Sequence, residues 1–287
     1  MGGIMVRFIS FIAGLILTSA NMGLAQTPVT TPYTLGATER GMAQLPLDIY
    51  PARPFCNTPR PTVIYVHGGG FQVGSRRNGA YLASKFQSAG INFLSIDYRK
   101  ASDQPVLAGA FAKIANVGKA QERFPGQAIA ASAAFQDTLA ALNFTLKNAD
   151  PACVDPNKIV LMGHSAGAVA VLHVAYALDE YGITVPRVAG VIDMAGTLTE
   201  NVIKPGDPPL MILHGENDVT VPFTAAQAIW AQAQTAGLPV AFHSLRGTGH
   251  DLEMLTPRNG SAPIALAVEF VKNATNGQGI RPVRAQH

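Results

Sequence analysis

Cysteine is scarce: Cys56 and Cys153 are the only two in 287 residues. No cluster of Cys, His and acidic residues with metal-ligand spacing is found, and no cofactor motif calls for one. Charge is thin as well. The 21 basic and 18 acidic residues leave a net charge of +3. The basic residues are scattered, and no Lys/Arg run is long enough to suggest a nucleic-acid partner. Nothing repeats at a fixed period. The apolar run Phe8 to Leu17 is too short to span a bilayer. What the chain does have is apolar mass: 48% of its residues, enough for the core of one large α/β domain.

The stretch from Met1 to Ala25 differs from the rest. Arg7 gives a sparse positive start, Phe8 to Leu17 is apolar, and Gly23-Leu24-Ala25 fits a small-X-small cleavage site, with Thr18-Ser19-Ala20 as an alternative. This reads as a secretory signal peptide, residues 1–25, and the rival reading is an uncleaved anchor. Both place the folded domain outside the cytoplasm, secreted or periplasmic.

Residues 26–44 read as a flexible lead-in, Thr- and Pro-rich at first, and the domain as residues 45–280. Leu45 to Tyr50 reads as an edge strand. Strands are expected at Thr62–Val66, Ile91–Ile96, Ile159–Met162, Val188–Ile192, Leu210–Leu213 and Val240–Leu245. Helices are expected at Tyr81–Ala89, Ile129–Lys147, Ala166–Leu178, Thr224–Ala236 and Ile264–Lys272. Strands separated by helices imply a single-domain α/β fold with a doubly wound, mostly parallel sheet. In such sheets chemistry collects at the carboxyl ends of the strands.

One stretch organises the chain. An apolar strand, Ile159 to Met162, runs into Gly163-His164-Ser165-Ala166-Gly167, and an Ala-rich helix follows. Strand, tight turn and helix around Gly-X-Ser-X-Gly form a nucleophile elbow. Glycine at 163 and 167 removes Cβ atoms that would clash as strand and helix converge, and the turn lifts Ser165 Oγ clear of the sheet. The Ala166 amide then lies at a helix N-terminus, facing any oxyanion that forms.

A serine hydroxyl needs a base. His250 sits in the glycine-rich loop Gly247-Thr248-Gly249-His250-Asp251, just past a strand, and is the favoured candidate, with His214 second. His173 lies inside the helix after the elbow and reads as a packed or surface residue. The base needs an orienting acid. Asp218, in the polar turn after Leu210 to Leu213, is preferred over Asp193, which also ends a strand but reads as a structural acid. Such a base predicts activity that rises with pH along one limb. His67-Gly68-Gly69-Gly70-Phe71 ends another strand. Successive glycines let the backbone turn N–H groups inward, so Gly69, Gly70 and Ala166 are the candidate oxyanion hole. A phosphate loop is a poor alternative, since no Gly-Lys-Ser/Thr follows.

In the order Ser165, Asp218, His250, with the His-Gly-Gly-Gly run upstream, the chain resembles the α/β-hydrolase superfamily, specifically its small carboxylesterases and lipases. The resemblance covers Thr62 to the C-terminus. It implies hydrolysis of small-molecule or polymer-linked esters through an acyl-serine. The alternative is a serine peptidase or amidase of the same fold. Asp97-Tyr98-Arg99 looks like the family's structural strand-end sequence. The chain departs from the hormone-sensitive-lipase-like branch at His164 and at Lys100-Ala101-Ser102. In the family's sheet the strands after Cys56 and Cys153 are parallel neighbours, which implies a disulfide between them. The irregular segment 100–126, with a short amphipathic helix at Ala110 to Ala120, is expected to cover the site and favour small or medium acyl groups. Phe71, His164, Phe111 and Phe124 are the candidate substrate contacts.

Overall fold

The structure, a computed structural model, describes residues 27–52, 58–251, 263–280 and 283–286. The strands are β1 (Val29–Thr38), β2 (Gly41–Tyr50), β3 (Arg60–Val66), β4 (Asn92–Ile96), β5 (Val154–His164), β6 (Gly190–Met194), β7 (Leu210–Gly215), β8 (Val240–Leu245) and β9 (Val283–Gln286). The helices are α1 (Ala80–Ser88), α2 (Gly109–Gly118), α3 (Gln127–Lys147), α4 (Ala149–Ala152), α5 (Ala166–Tyr176), α6 (Phe223–Thr235) and α7 (Pro263–Thr275).

They form one nine-stranded sheet in the order β1-β2-β4-β3-β5-β6-β7-β8-β9. The first two pairings, β1 with β2 and β2 with β4, are antiparallel, and the rest are parallel. Central strands carry unbroken apolar runs because helices cover both faces. In β3, Ile64 and Val66 face one core while Val63 and Tyr65 face the other. In β5, Ile159 and Leu161 split from Val160 and Met162 in the same way. The first core is closed by α2, α3, α5 and α6, and the second by α1 and α7. Truncating a side chain such as the fully buried Leu161 to Ala would cost about 2–5 kcal/mol.

The amino-terminal reading needs correction. Residues 29–44 are not a flexible lead-in: they form β1 and the start of β2. Leu45 to Tyr50 is not an edge strand, because β2 lies between β1 and β4. Pro32 is tolerated because β1 is the edge and its register shifts between Pro32 and Thr34. Thr30 Oγ1 donates to Asp48 Oδ1 at 2.6 Å and ties the hairpin together. At the other edge, β9 extends the sheet beyond residue 280 and pairs parallel with β8.

Residues 100–126 carry the short helix expected at Ala110 to Ala120, as α2. Helix α2 lies between the short 3-10 turns Ala101–Asp103 and Lys119–Gln121. The Arg99 side chain is buried and bridges to Asp137 at 2.7 Å, fastening the end of β4 to α3, which is the structural role expected of it. Cys153 is disulfide-bonded. β3 and β5 run parallel, with Arg60 beside Val154. Cys56 and the proposed signal peptide lie outside the described residues. Among the described residues, no helix is long and apolar enough to cross a membrane.

Candidate active site

The carboxyl ends of β3, β5, β7 and β8 share one edge of the sheet, and each delivers a loop to the same place. Ser165 stands between β5 and α5 with φ 53° and ψ −122°, a conformation that non-glycine residues rarely adopt. The neighbours enforce it. A Cβ on Gly163 would lie 2.2 Å from the Gly167 carbonyl oxygen, and one on Gly167 would lie 2.0 Å from that of Val66. Only glycine at both positions lets β3, β5 and α5 approach so closely. The Ser165 amide donates to the Met194 carbonyl at 2.8 Å, which pins the turn to the end of β6.

The loop after β8 brings His250 Nε2 to 2.7 Å from Ser165 Oγ. Nδ1 of the same ring lies 2.7 Å from Asp218 Oδ2. The carboxylate can only accept, so Nδ1 carries the hydrogen and Nε2 is free to take the serine proton. Asp218 Oδ1 accepts the amides of Thr220 and Val221 at 2.8 and 2.9 Å. Burial pushes the Asp218 carboxyl up, but the His250 bond and the two amides outweigh it and hold it below its ordinary value. His214, second choice as base, is fully buried: its Nε2 lies 2.9 Å from the Val221 carbonyl and 3.3 Å from Asp218 Oδ2. It braces the acid's turn and does not reach the serine.

Asp193 is sealed in. It is fully buried, its Oδ1 accepts the Gly196 amide at 2.8 Å, and its Oδ2 has no hydrogen-bond partner. Burial pushes its carboxyl up to about 7.

The glycine loop after β3 folds over the elbow. Gly69 and Gly70 have φ of 120° and 62°. Among the described residues, neither amide donates to another backbone carbonyl. A Cβ on Gly68 would lie 3.1 Å from Ser165 Cβ, so this loop touches the nucleophile turn directly. His67 anchors it: its ring stacks on Tyr98 at 4.3 Å, and the Tyr98 hydroxyl donates to the His67 carbonyl at 3.1 Å.

A cavity of about 520 Å³ opens from Ser165, Ala166 and Gly70. Phe71 lines it as expected. The other three substrate candidates do not. His164 is buried under the base loop, its Nε2 3.1 Å from the His250 carbonyl, and burial lowers its imidazole to about 4. It holds the loop that carries the base. Phe111 packs against the first core, with its carbonyl accepting Ser132 Oγ at 2.6 Å. Phe124 sits in the turn before α3, where its carbonyl accepts the Gln127 amide. From the same segment, Ile114, Val117 and Gly118 face the cavity instead, spaced as one face of α2. Arg123 Nη1 donates to the Thr220 carbonyl at 3.1 Å, joining this segment to the acid's turn. Sequence reasoning missed His173, which lines the far part of the cavity. Its spacing of two helical turns from Ser165 was the available signal.

Known proteins agree with this architecture. An acetyl-hydrolase of Streptomyces hygroscopicus is 25% identical over 264 residues, covering 77% of this chain and 78% of that protein. The butyrate-bound esterase Est2 of Thermogutta terrifontis superposes with a TM-score of 0.67 at 20% identity, covering 88% of this chain and 95% of that one. The same esterase phosphoramylated by tabun gives 0.67 at 21% identity, covering 90% and 97%. Both superpositions establish the α/β-hydrolase fold. The phospholipase/carboxylesterase family matches residues 56–255, more than half of the chain and a stretch that contains Ser165, Asp218 and His250. The chain belongs to the phospholipase/carboxylesterase family.

Proposed function

We propose that the protein is a serine esterase that hydrolyses carboxylic esters through an acyl-Ser165 intermediate. One observation carries the reading: the unbroken relay Ser165 Oγ, His250 Nε2, His250 Nδ1, Asp218 Oδ2, with both links at 2.7 Å, at the mouth of a largely apolar cavity. His250 takes the serine proton as Oγ attacks the ester carbonyl. Ionised Asp218 stabilises the imidazolium. The developing oxyanion is met by the amides of Gly69, Gly70 and Ala166, the last at the positive end of α5. As the intermediate collapses, His250 gives its proton to the departing alcohol. Water then repeats the sequence on the acyl-serine and releases the acid. Family membership supports ester substrates, and organophosphate adducts of the Thermogutta esterase are in keeping with a hydrolase whose nucleophile such reagents modify.

The same reading places the mature protein outside the cytoplasm, secreted or periplasmic. Arg7, the apolar stretch and Ala25 support export, as does a disulfide-bonded Cys153, since disulfides persist in oxidising compartments. With only two cysteines in the chain, Cys56 is the partner proposed for Cys153. The test of function is labelling by a fluorophosphonate together with turnover of p-nitrophenyl acetate against a peptide anilide. A label on Ser165 and turnover of the ester are expected. Turnover of the anilide in preference to the ester would move the assignment to a peptidase.

A further inference from the structure

The acid of the relay sits on a loop, yet its carboxylate is located from a strand. His214 lies at the end of β7, four residues before Asp218, with its side chain fully buried. The ring meets Phe223 of α6 edge-on at 6.0 Å and 67°, and Phe223 packs on Phe242 of β8 at 5.7 Å. This packing fixes its direction. His214 Nε2 is 2.9 Å from the Val221 carbonyl, which can only accept, so Nε2 carries the hydrogen. Val221 is used twice. Its carbonyl takes the His214 hydrogen, and its amide donates to Asp218 Oδ1 at 2.9 Å. The same Nε2 lies 3.3 Å from Asp218 Oδ2, the oxygen beside His250 Nδ1. One ring on β7 therefore locates both carboxylate oxygens.

The arrangement has a cost. His214 Nδ1 is buried and has no hydrogen-bond partner among the described residues. An unpaired buried acceptor destabilises a fold. An apolar residue would not carry that acceptor, and what histidine gives in return is the Nε2 hydrogen. Burial also lowers the His214 imidazole, which keeps the ring neutral while His250 gains and loses its proton.

We infer that His214 is a positioning residue: by holding Val221 it aims the Asp218 carboxylate at His250, and it acts on the reaction only through that acid. The inference rests on the relay proposed above. A residue that acts through Asp218 has nothing to act through once the carboxylate is gone, so the two substitutions must be non-additive.

The test is a double-mutant cycle on p-nitrophenyl acetate turnover with His214→Phe, Asp218→Asn and the pair. His214→Phe keeps an aromatic ring against Phe223 and removes the hydrogen. Alone it is expected to lower kcat by about tenfold with KM little changed. It should also move the midpoint of the kcat/KM limb about half a pH unit lower, because a carboxylate out of line stabilises the imidazolium less. On the Asp218→Asn background it should change kcat by less than about twofold. His214→Gln, whose amide nitrogen can take the place of Nε2, should recover most of kcat and of the midpoint. His214→Asn, whose amide is one bond shorter, should behave as His214→Phe and replaces it in the cycle if the melting curve shows that His214→Phe does not fold. His164, with its ring 5.4 Å from that of His250, and Asp251, the next residue, are the other titratable groups facing the pair, and every variant leaves both in place. Equal fold-losses with and without the Asp218 carboxylate would overturn the inference, since His214 would then brace the fold independently of the acid. An unmoved or higher midpoint in His214→Phe would overturn it too. An Asp218→Asn enzyme as active as wild type would remove the acid and His214 with it, while a Ser165 that takes no fluorophosphonate label would remove the esterase reading itself.

Discussion

Asp193 lies near the end of β6 and Asp218 in the turn just past β7, its parallel neighbour; both carboxylates are buried, yet their environments drive them in opposite directions. Asp193 has one amide partner and an oxygen with none, and burial lifts it to about 7. Asp218 is buried too, but His250 and two amides hold it ionised. Burial alone makes a carboxyl a poor partner for an imidazolium. Hydrogen bonds aimed at the charged form make it a good one.

The largest expected effect separates the two acids by activity. Asp218→Asn should lower esterase kcat by about 10⁴-fold, because the amide no longer fixes the imidazole tautomer. Asp193→Asn should keep activity within about tenfold of wild type. Steady-state kinetics on p-nitrophenyl acetate checks both, and the reverse ranking would transfer the acid's role to Asp193.

His164 extends the contrast to a buried base. His164→Ala should lower kcat by about tenfold with KM little changed, because the His250 loop loses its tether. His164→Gln, which can still donate to that carbonyl, should recover most of the loss. Equal kcat in both variants and wild type would show that the tether is idle.

Stability sharpens the comparison further. With its carboxyl raised from 3.8 to about 7, folded Asp193 holds a proton that the unfolded chain releases between those values. Its contribution to stability therefore falls as pH rises through that window and is constant above it. The stability of Asp193→Asn relative to wild type should increase from pH 4 to 7 and then level off, by up to about 4 kcal/mol. His164 and His67 act in the opposite direction. Burial lowers both to about 4, so the unfolded chain takes up protons first and stability falls as the solution is acidified. Denaturant melts of wild type and Asp193→Asn across this range are the check. A pH-independent difference would mean Asp193 is ionised in the fold.

The smallest effect concerns the segment over the cavity. Ile114→Ala or Val117→Ala should shift chain-length preference toward longer acyl groups by a few-fold, since these side chains face the cavity. Phe111→Ala should cost stability and leave that preference alone, because Phe111 packs in the core. A panel of p-nitrophenyl esters from acetate to palmitate reads both.

Much of the site was legible because its signals are local. The elbow needs small residues two positions either side of Ser165, and the glycine loop and the polar turn at Asp218 each announce themselves within a few residues. The errors fall where partners are distant in sequence. Residues 29–44 look like a tail because their strand character depends on pairing, with β2 completed by residues of β4 far along the chain, as in Leu47 opposite Ile96. Phe111, Ile114, Val117 and Phe124 are all apolar in the sequence, and only the phase of α2 separates Ile114 and Val117, which face the cavity, from the two phenylalanines, which do not. His173 was hidden in an Ala-rich helix whose apolar residues surround it, so only the packing of α3 against α5 reveals which face is hollow.

The most direct measurement is the rapid-mixing burst of p-nitrophenol on wild type and Ser165→Ala, with mass spectrometry of the quenched enzyme. The wild type is expected to release up to one equivalent before the steady state and to carry one acetyl group on the peptide containing Ser165. Ser165→Ala, folded by its melting curve, should give neither burst nor adduct. A folded Ser165→Ala protein retaining more than about a tenth of wild-type turnover would contradict the assignment.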